Sequence, residues 1–306
     1  MLKCGIVILN YNDYPTTEEL LSKIKDCAEI DHIAVVDNNS PNDSYTHLKK
    51  YESPKISVIQ SGKNGGYSFG NNVGARYLIE NYHPDIIGIA NPDTEFDGAF
   101  IAKIKEVFTE HPDYAVLTGL QVKPSDETGD HPFWEDKSTP HSMYGVVLSD
   151  IFRQTAARKY NTYREGIRNS SNELNQVWAV EGSLFFIRRE DFERVGLFDE
   201  NLFLYYEEYL LAFKLQQLGM KTGIINTIKY VHDHKSPKNK TLQDRFRIGI
   251  QSLDYMDKSS SYYFKRYVTG SKFLRIMFAF LLKLRRWKSY VGYFFKILMF
   301  KIRNQH

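Results

Sequence analysis

The sequence predicts an α/β fold: a mostly parallel, Rossmann-like sheet flanked by helices, followed by a basic amphipathic helical tail. Two observations carry that expectation. Strand-like and helix-like segments alternate from the first residues to about position 120, and the stretch 262–306 holds eleven basic residues and no acid. Apolar, β-branched runs at 5–9, 33–36, 56–59, 86–90 and 115–118 read as strands. Between them, helical spacing of apolar residues predicts helices at 16–27, 44–51, 72–80 and 99–110. Strands separated by helices pair in parallel and need cover on both faces. Ligands of such sheets bind beyond the carboxyl ends of the strands, so the polar residues there are the candidate site.

Regularity lapses from 124 to 176, where a polar stretch with early Pro and Gly predicts long loops and short helices around a substrate opening. It returns with a strand at 177–188, a helix at 205–218 stopped by Gly219, and a strand at 222–231.

Composition narrows the classes. The chain of 306 residues is 42% hydrophobic and 25% charged, which excludes disordered and fibrous proteins. Its net charge of +3 conceals a split: residues 1–261 carry 29 basic and 37 acidic residues, a net of −8, against +11 on the tail. Cys4 and Cys27 make neither a disulfide framework nor a CxxC pair, so a reducing compartment is expected. The first apolar run breaks at Asn10, too early for a signal peptide. The longest charge-free runs of the tail, 276–282 and 289–295, are seven residues each. A membrane-spanning helix needs roughly twenty apolar residues.

The first strand runs into Asn10, Tyr11 and Asn12, and the second into Asp37, Asn38, Asn39 and Ser40. A carboxylate with amides at strand ends suits a nucleobase or ribose, yet Asp37, Asn39 and Ser40 are equally good helix caps. The segment NGGYSFGNNVG at 64–74 opens a helix and lets backbone N–H groups approach a phosphate, although it matches neither a P-loop nor a dinucleotide fingerprint. A ligand-free glycine turn reads equally well.

Asn91, Pro92, Asp93, Thr94 and Glu95 follow the fourth strand. Asp93 and Glu95, two apart, can face one hard cation such as Mg²⁺ or Mn²⁺; the same residues can simply form an Asx-turn. Glu207 and Glu208 open a helix behind aromatic residues, where a carboxylate serves as general base or merely answers the helix dipole. His232 and His234 follow a strand and can complete a metal shell, or lie on the surface.

In this order the pieces resemble the family 2 glycosyltransferases, within them the bacterial rhamnosyltransferase-like branch. The resemblance covers residues 3–236 and rests on the 64–74 segment, Asn91 to Asp93, WAVEGS at 178–183, RREDFERVGLFDE at 188–200, and Tyr205 to Glu208. It implies a GT-A fold at 1–260, with a nucleotide-sugar-binding half at 1–122 and an acceptor-side half at 123–260. It implies an inverting, metal-dependent transfer from a nucleotide sugar, dTDP-rhamnose or a UDP-sugar, in bacterial surface polysaccharide synthesis. By position, Asp37 would hold the pyrimidine, with Asn10, Tyr11, Asn12 and Asn39 around it. Asn64, Gly66, Tyr67 and Asn71 would line the ribose and diphosphate, with Asn91 and Gly182 nearby. Asp93 matches the last acid of the family's metal motif, Asn91 replacing the first. His232 would join Asp93 on Mn²⁺ or Mg²⁺, with Glu95 and His234 as further candidates.

Glu208 stands at the family's catalytic Asp, one methylene longer. The sequence departs again at Leu210, where a second acid is usual, at Lys214, where Arg is usual, and at Glu181, where Ser or Thr is commoner. Two other readings compete. A sugar-nucleotide pyrophosphorylase needs a glycine-rich, basic loop after its first strand, and NYNDYP at 10–15 has neither feature. A non-catalytic nucleotide-sugar-binding subunit is the alternative that the Leu210 departure supports.

In the 261–306 tail, Lys272, Arg275, Lys283 and Arg286 fall within a sector about 80° wide on a helix, with Phe273, Ile276, Met277, Phe280, Leu284 and Trp287 around the rest. Such a helix suits an anionic membrane surface, or alternatively the protein's own core. No recognition motif accompanies the charge, so nucleic acid is not expected. The expectation is a peripheral enzyme on the cytoplasmic face of the cell membrane, acting on a polyprenyl-diphosphate-linked glycan.

Overall fold

The computed structural model describes residues 2–125, 133–134, 147, 165–233, 241–268 and 270–303, and the statements below concern these. Much of the 124–176 region, and His234, lie outside them. Two compact units emerge, one holding every strand and the other holding the two long C-terminal helices with Leu204–Tyr206.

The strands are β1 (Cys4–Asn10), β2 (His32–Asp37), β3 (Ile56–Gln60), β4 (Ile86–Ala90), β5 (Thr94–Glu95), β6 (Tyr114–Val122), β7 (Phe133–Trp134), β8 (Leu174–Val177), β9 (Ala179–Val180), β10 (Leu184–Arg188) and β11 (Lys221–His232). The helices are α1 (Tyr14–Ile24), α2 (Ser44–Leu48), α3 (Gly66–Tyr82), α4 (Gly98–Glu110), α5 (Arg189–Arg194), α6 (Glu207–Gln217), α7 (Leu242–Tyr267) and α8 (Lys272–Arg303). The main sheet runs β3-β2-β1-β4-β10-β6-β11-β5, with β8 also on β11, and β7 pairs β9 separately. The first four strands are mutually parallel; β10 enters antiparallel to both β4 and β6.

Alternation along the strands explains the layers. Ile6, Ile8, Ile33 and Val35 join Leu20, Ile24, Ile104 and Phe108 in the core cluster beneath α1 and α4. Val7, Leu9 and Val36 face the other way, toward α3. That helix comes close because Gly70 and Gly74 lie one turn apart: an added Cβ would sit 2.4 Å from Leu9 Cδ1 and 2.5 Å from Val7 Cγ1 respectively. The 64–74 segment, expected as a loop opening a helix at 72, is therefore mostly helix from Gly66 onward.

Two further expectations change. The single strand at 177–188 is three short strands, because β8 pairs with β11, β9 with β7, and β10 with β4 and β6. The expected boundary at 260/261 falls inside α7, one continuous helix opened by a capping box of Thr241 and Asp244. In this second unit Phe264 and Phe278 stack at 4.3 Å between ring centroids, and buried Arg285 bonds Asp257.

The close approach of α3 makes a prediction. Gly74→Ala should lower stability by about 1–3 kcal/mol through overpacking against Val7 and Val36. Gly292→Ala, on an exposed helical position with open space around it, should instead be neutral or stabilising by about 0.5–1 kcal/mol. Urea unfolding midpoints of the two variants check the contrast.

Candidate active site

The ends of β1 and β2 are tied by one buried carboxylate. Asn10 and Asp37 are register partners with no solvent exposure. Asp37 Oδ1 accepts from Asn10 Nδ2 at 2.9 Å and from Ser40 Oγ at 2.6 Å, and Oδ2 accepts from Ser40 N at 3.1 Å. Ser40 Oγ in turn accepts from Asn12 N at 2.8 Å. Asp37, Asn39 and Ser40 therefore do not cap α2, which starts later, after Asp43. Asn12 and Asn39 hold φ of 60° and 56°, the left-handed region that asparagine tolerates, and Tyr11 between the strand ends is exposed.

Asn38 links this corner to α3. Its Nδ2 donates to Asn64 Oδ1 and to Gly66 O, both at 3.1 Å. Gly66 N donates to Asn64 Oδ1 at 3.1 Å, and Tyr67 N to Phe203 O at 2.8 Å. The N–H groups of Gly66 and Tyr67 are thus engaged by the protein itself. Gly66 has φ of +86°, and a Cβ would lie 2.0 Å from Phe203 O, so no side chain fits. Asn71 is buried and donates to Tyr67 O at 3.1 Å, within the helix.

Beyond β4, Asn91 N donates to Ser183 O at 2.7 Å. Asp93 Oδ1 lies 3.3 Å from His232 Nε2 at the end of β11. His232 is buried, with Gln121 Nε2 at 2.9 Å and Glu181 Oε2 at 4.0 Å from its Nδ1. Asp93 and His232 are thus brought together. Glu95 is not: its Oε1 is 2.8 Å from Lys23 Nζ of α1, which corrects the pairing expected from the two-residue spacing. Among the described residues no three His, Cys, Asp or Glu side chains converge as a metal cage. Gln121 and Glu181 were not read as site residues; a polar side chain inside the apolar run of β6 was the available signal.

Glu208 stands in the first turn of α6. Its Oε1 accepts from Gly182 N at 3.0 Å, while Gly182 O accepts from Tyr67 Oη at 2.5 Å. A Cβ on Gly182 would sit 2.8 Å from Glu208 Oε1 and 3.0 Å from Tyr67 Oη. Glu181, Gly182 and Ser183 form one tripeptide with His232 near the first, Glu208 and Tyr67 on the second, and Asn91 on the third.

Burial raises the Glu208 carboxyl above the ordinary range, with its own N–H and that of Gly182 pulling the other way. Glu207 is almost fully buried, and its Oε2 finds no partner among the described residues. Burial, then the charge of Glu208, lift it well above the usual range. Each glutamate has its own N–H favouring the ionised form, and Glu208 has the Gly182 N–H besides, so Glu207 is the more strongly raised of the two. Burial and the neighbouring carboxylates likewise keep the Tyr67 phenol protonated. Tyr205 and Tyr206, directly before α6, both adopt left-handed φ, at 70° and 71°. Non-glycine residues there store on the order of 1–3 kcal/mol each, and such strain gathers at functional sites. Leu210, where an acid is usual, is buried in the core.

Comparison with known proteins fits this geometry. The sequence model described as Glycosyl transferase family 2 matches residues 5–196. A low-salt glycan biosynthesis hexosyltransferase of Haloferax volcanii is 26% identical over 265 residues, 83% of this chain and 73% of that protein. An N-acetylglucosaminyl-diphospho-decaprenol L-rhamnosyltransferase of Mycobacterium tuberculosis is 21% identical over 238 residues, 76% of each chain. A dTDP-rhamnosyl transferase of Shigella flexneri is 26% identical over 74% of this chain and 67% of its own. Among solved structures, a Pyrobaculum calidifontis mannosyltransferase in complex with GDP-mannose and Mn²⁺ superposes with a TM-score of 0.56 at 15% identity, over 95% of this chain and 74% of that one. GalNAc-T7 with UDP, GalNAc and Mn²⁺ gives 0.57 at 15% identity, over 91% of this chain and 54% of its own. The fold is GT-A.

The upward shift of Glu207 has a measurable consequence. A carboxyl whose folded pKa is raised destabilises the fold as pH climbs above its unfolded value of about 4.3. Glu207→Gln removes that cost, so the variant should gain thermal stability over the parent at pH 8 and lose the advantage near pH 4. Melting curves at the two pH values check the sign; an equal difference at both would contradict it.

Proposed function

The chain belongs to glycosyl transferase family 2, and from that premise we propose an inverting, metal-dependent transfer onto a lipid-linked glycan. The protein is a glycosyltransferase of the rhamnosyltransferase-like kind. The donor we favour is dTDP-rhamnose, because two of its relatives are named for rhamnosyl transfer; the Haloferax hexosyltransferase keeps UDP-hexoses as the competing donors. The decaprenyl-diphosphate in the mycobacterial relative's name supports a polyprenyl-diphosphate acceptor, presented at the cytoplasmic face of the membrane for surface polysaccharide synthesis.

The observation that carries the chemistry is the contact of Gly182 N with Glu208 Oε1, which presents a carboxylate beside a strained turn. Glu208 takes the proton of the acceptor hydroxyl as that oxygen attacks the anomeric carbon. Gly182 N–H keeps the carboxylate aimed, and the upward shift of Glu207 disfavours a second buried charge next to it. Asn10, Tyr11, Asn12 and Asn39 surround the base, Tyr11 offering an exposed ring face. Asp37, already hydrogen-bonded at both oxygens, acts by holding Asn10 and Ser40 in place. Asn64, Gly66, Tyr67 and Asn71 form the wall toward ribose and diphosphate, with Asn91 and Gly182 across from them.

Asp93 and His232 supply one oxygen and one nitrogen, 3.3 Å apart. That set suits Mn²⁺ or Mg²⁺, which commonly take few protein ligands and complete their shells with diphosphate oxygens and water. Bound there, the cation would neutralise charge growing on the departing diphosphate.

The test is a panel of nucleotide sugars assayed for nucleoside diphosphate release with Mn²⁺ or Mg²⁺. Turnover of dTDP-rhamnose should require the cation. Glu208→Gln should lower the rate by roughly 10²–10⁴-fold with donor affinity retained, and Asp93→Ala should remove the response to metal. Parent-like rates in both variants would refute the assignment and favour a non-catalytic nucleotide-sugar-binding subunit.

A further inference from the structure

Helix α8 carries two opposed apolar faces, of which one is buried and the other exposed among the described residues. Phe278, Leu281, Leu282 and Arg285 are buried, with Phe278 stacked on Phe264 and Arg285 bonded to Asp257. Phe273, Ile276, Met277, Phe280 and Trp287 are between 38% and 68% exposed. At 100° per residue these five fall within a sector about 100° wide, centred roughly opposite the buried face. Exposed lysines border that sector, Lys272 and Lys283 along one edge and Lys288 along the other. Arg286, counted in the sequence as part of the cationic stripe, is engaged elsewhere: it pairs with Asp254 and Asp257 of α7.

From this arrangement we propose that the Phe273–Trp287 face of α8 lies in the plane of an anionic lipid surface and attaches the protein to it. Aromatic and aliphatic side chains sink to the acyl boundary, while the lysines along the edges reach headgroup phosphates. Among the described residues no helix is long and apolar enough to cross a membrane, so the contact is interfacial. Charge decides between lipid and a second copy of the chain. Helix α8 contains no acidic residue, so pairing this face with itself would set lysine edges against lysine edges with nothing to answer them. Anionic headgroups answer them directly. The inference stands on α8 alone and does not depend on the donor or acceptor proposed above.

Truncation at Tyr262 would cut α7 and strip Asp257 of Arg285, so point variants are the cleaner test. The full chain is floated with vesicles of phosphatidylcholine, alone or mixed with phosphatidylglycerol, and its solution mass is read by light scattering. The parent should float only with the anionic vesicles. Lys272→Ser and Lys283→Ser should each weaken binding by about fivefold, the equivalent of roughly 1 kcal/mol per basic residue. Phe280→Ser with Trp287→Ser should weaken it by at least about tenfold, with helical circular dichroism unchanged. Undiminished flotation of that double variant would overturn the proposal. So would a parent that stays off anionic vesicles as a dimer and becomes monomeric in the double variant. Nucleoside diphosphate release, measured alongside, should be the same in every variant, so loss of attachment is separable from loss of catalysis.

Discussion

The backbone of Gly182 is held on both sides, through its N–H and its C=O, and the arrangement of the site depends on it. Its N–H fixes Glu208, its C=O anchors the Tyr67 hydroxyl, and no side chain fits between them. A hydrogen bond to a charged group is worth about 1.5–3 kcal/mol, enough to select one rotamer of a long glutamate. The same tripeptide reaches Asn91 through Ser183 O and comes within 4.0 Å of His232 through Glu181. The proposed base and the proposed metal-binding pair therefore both adjoin one short piece of backbone between β9 and β10.

The supporting layer is helix α3, which can lie close to β1 and β2 only because Gly70 and Gly74 present no side chain to Leu9, Val7 and Val36. That approach delivers Tyr67 to Gly182 and Gly66 to the Phe203 carbonyl. Asn72, on the same helix, exchanges hydrogen bonds with the Phe198 backbone and also donates to Glu200, fixing the segment that leads toward the glutamates. The left-handed pair Tyr205 and Tyr206 then turns the chain into α6. The glycines and asparagines of 64–74 thus carry structural contacts of their own, whatever ligand they meet.

Local patterning made the first half legible. Alternating runs marked β1 to β4 and β6 to within a few residues, and the polar strand ends at Asn10, Asp37, Asp93 and His232 do sit where an α/β sheet binds ligands. What local pattern could not show was decided by distant partners. Lys23 draws Glu95 to α1, a contact across 72 positions with no signature in the spacing of Asp93 and Glu95. The 177–188 run is apolar on both sides of Glu181–Ser183, yet it is divided by its pairing, first with β11, then with β7, then with β4 and β6. Glycines read as flexible are contact points, because spacing cannot separate a loop glycine from one pressed against a strand. The split of charge near Ser261 was visible, but the fate of Arg285 and Arg286 was not: both are bound by α7 acids, leaving the lysines to border the open face.

Gly182→Ala isolates the central constraint, since it adds one methyl group between Glu208 and Tyr67 and removes no reactive group. With the nucleotide sugar that the enzyme turns over fastest, kcat should fall by about 10²-fold, the cost of an ångström-scale misplacement, while donor Kd changes little. A variant with the parent's kcat would show that the Gly182 contact does not position the base, and would contradict this account of the site.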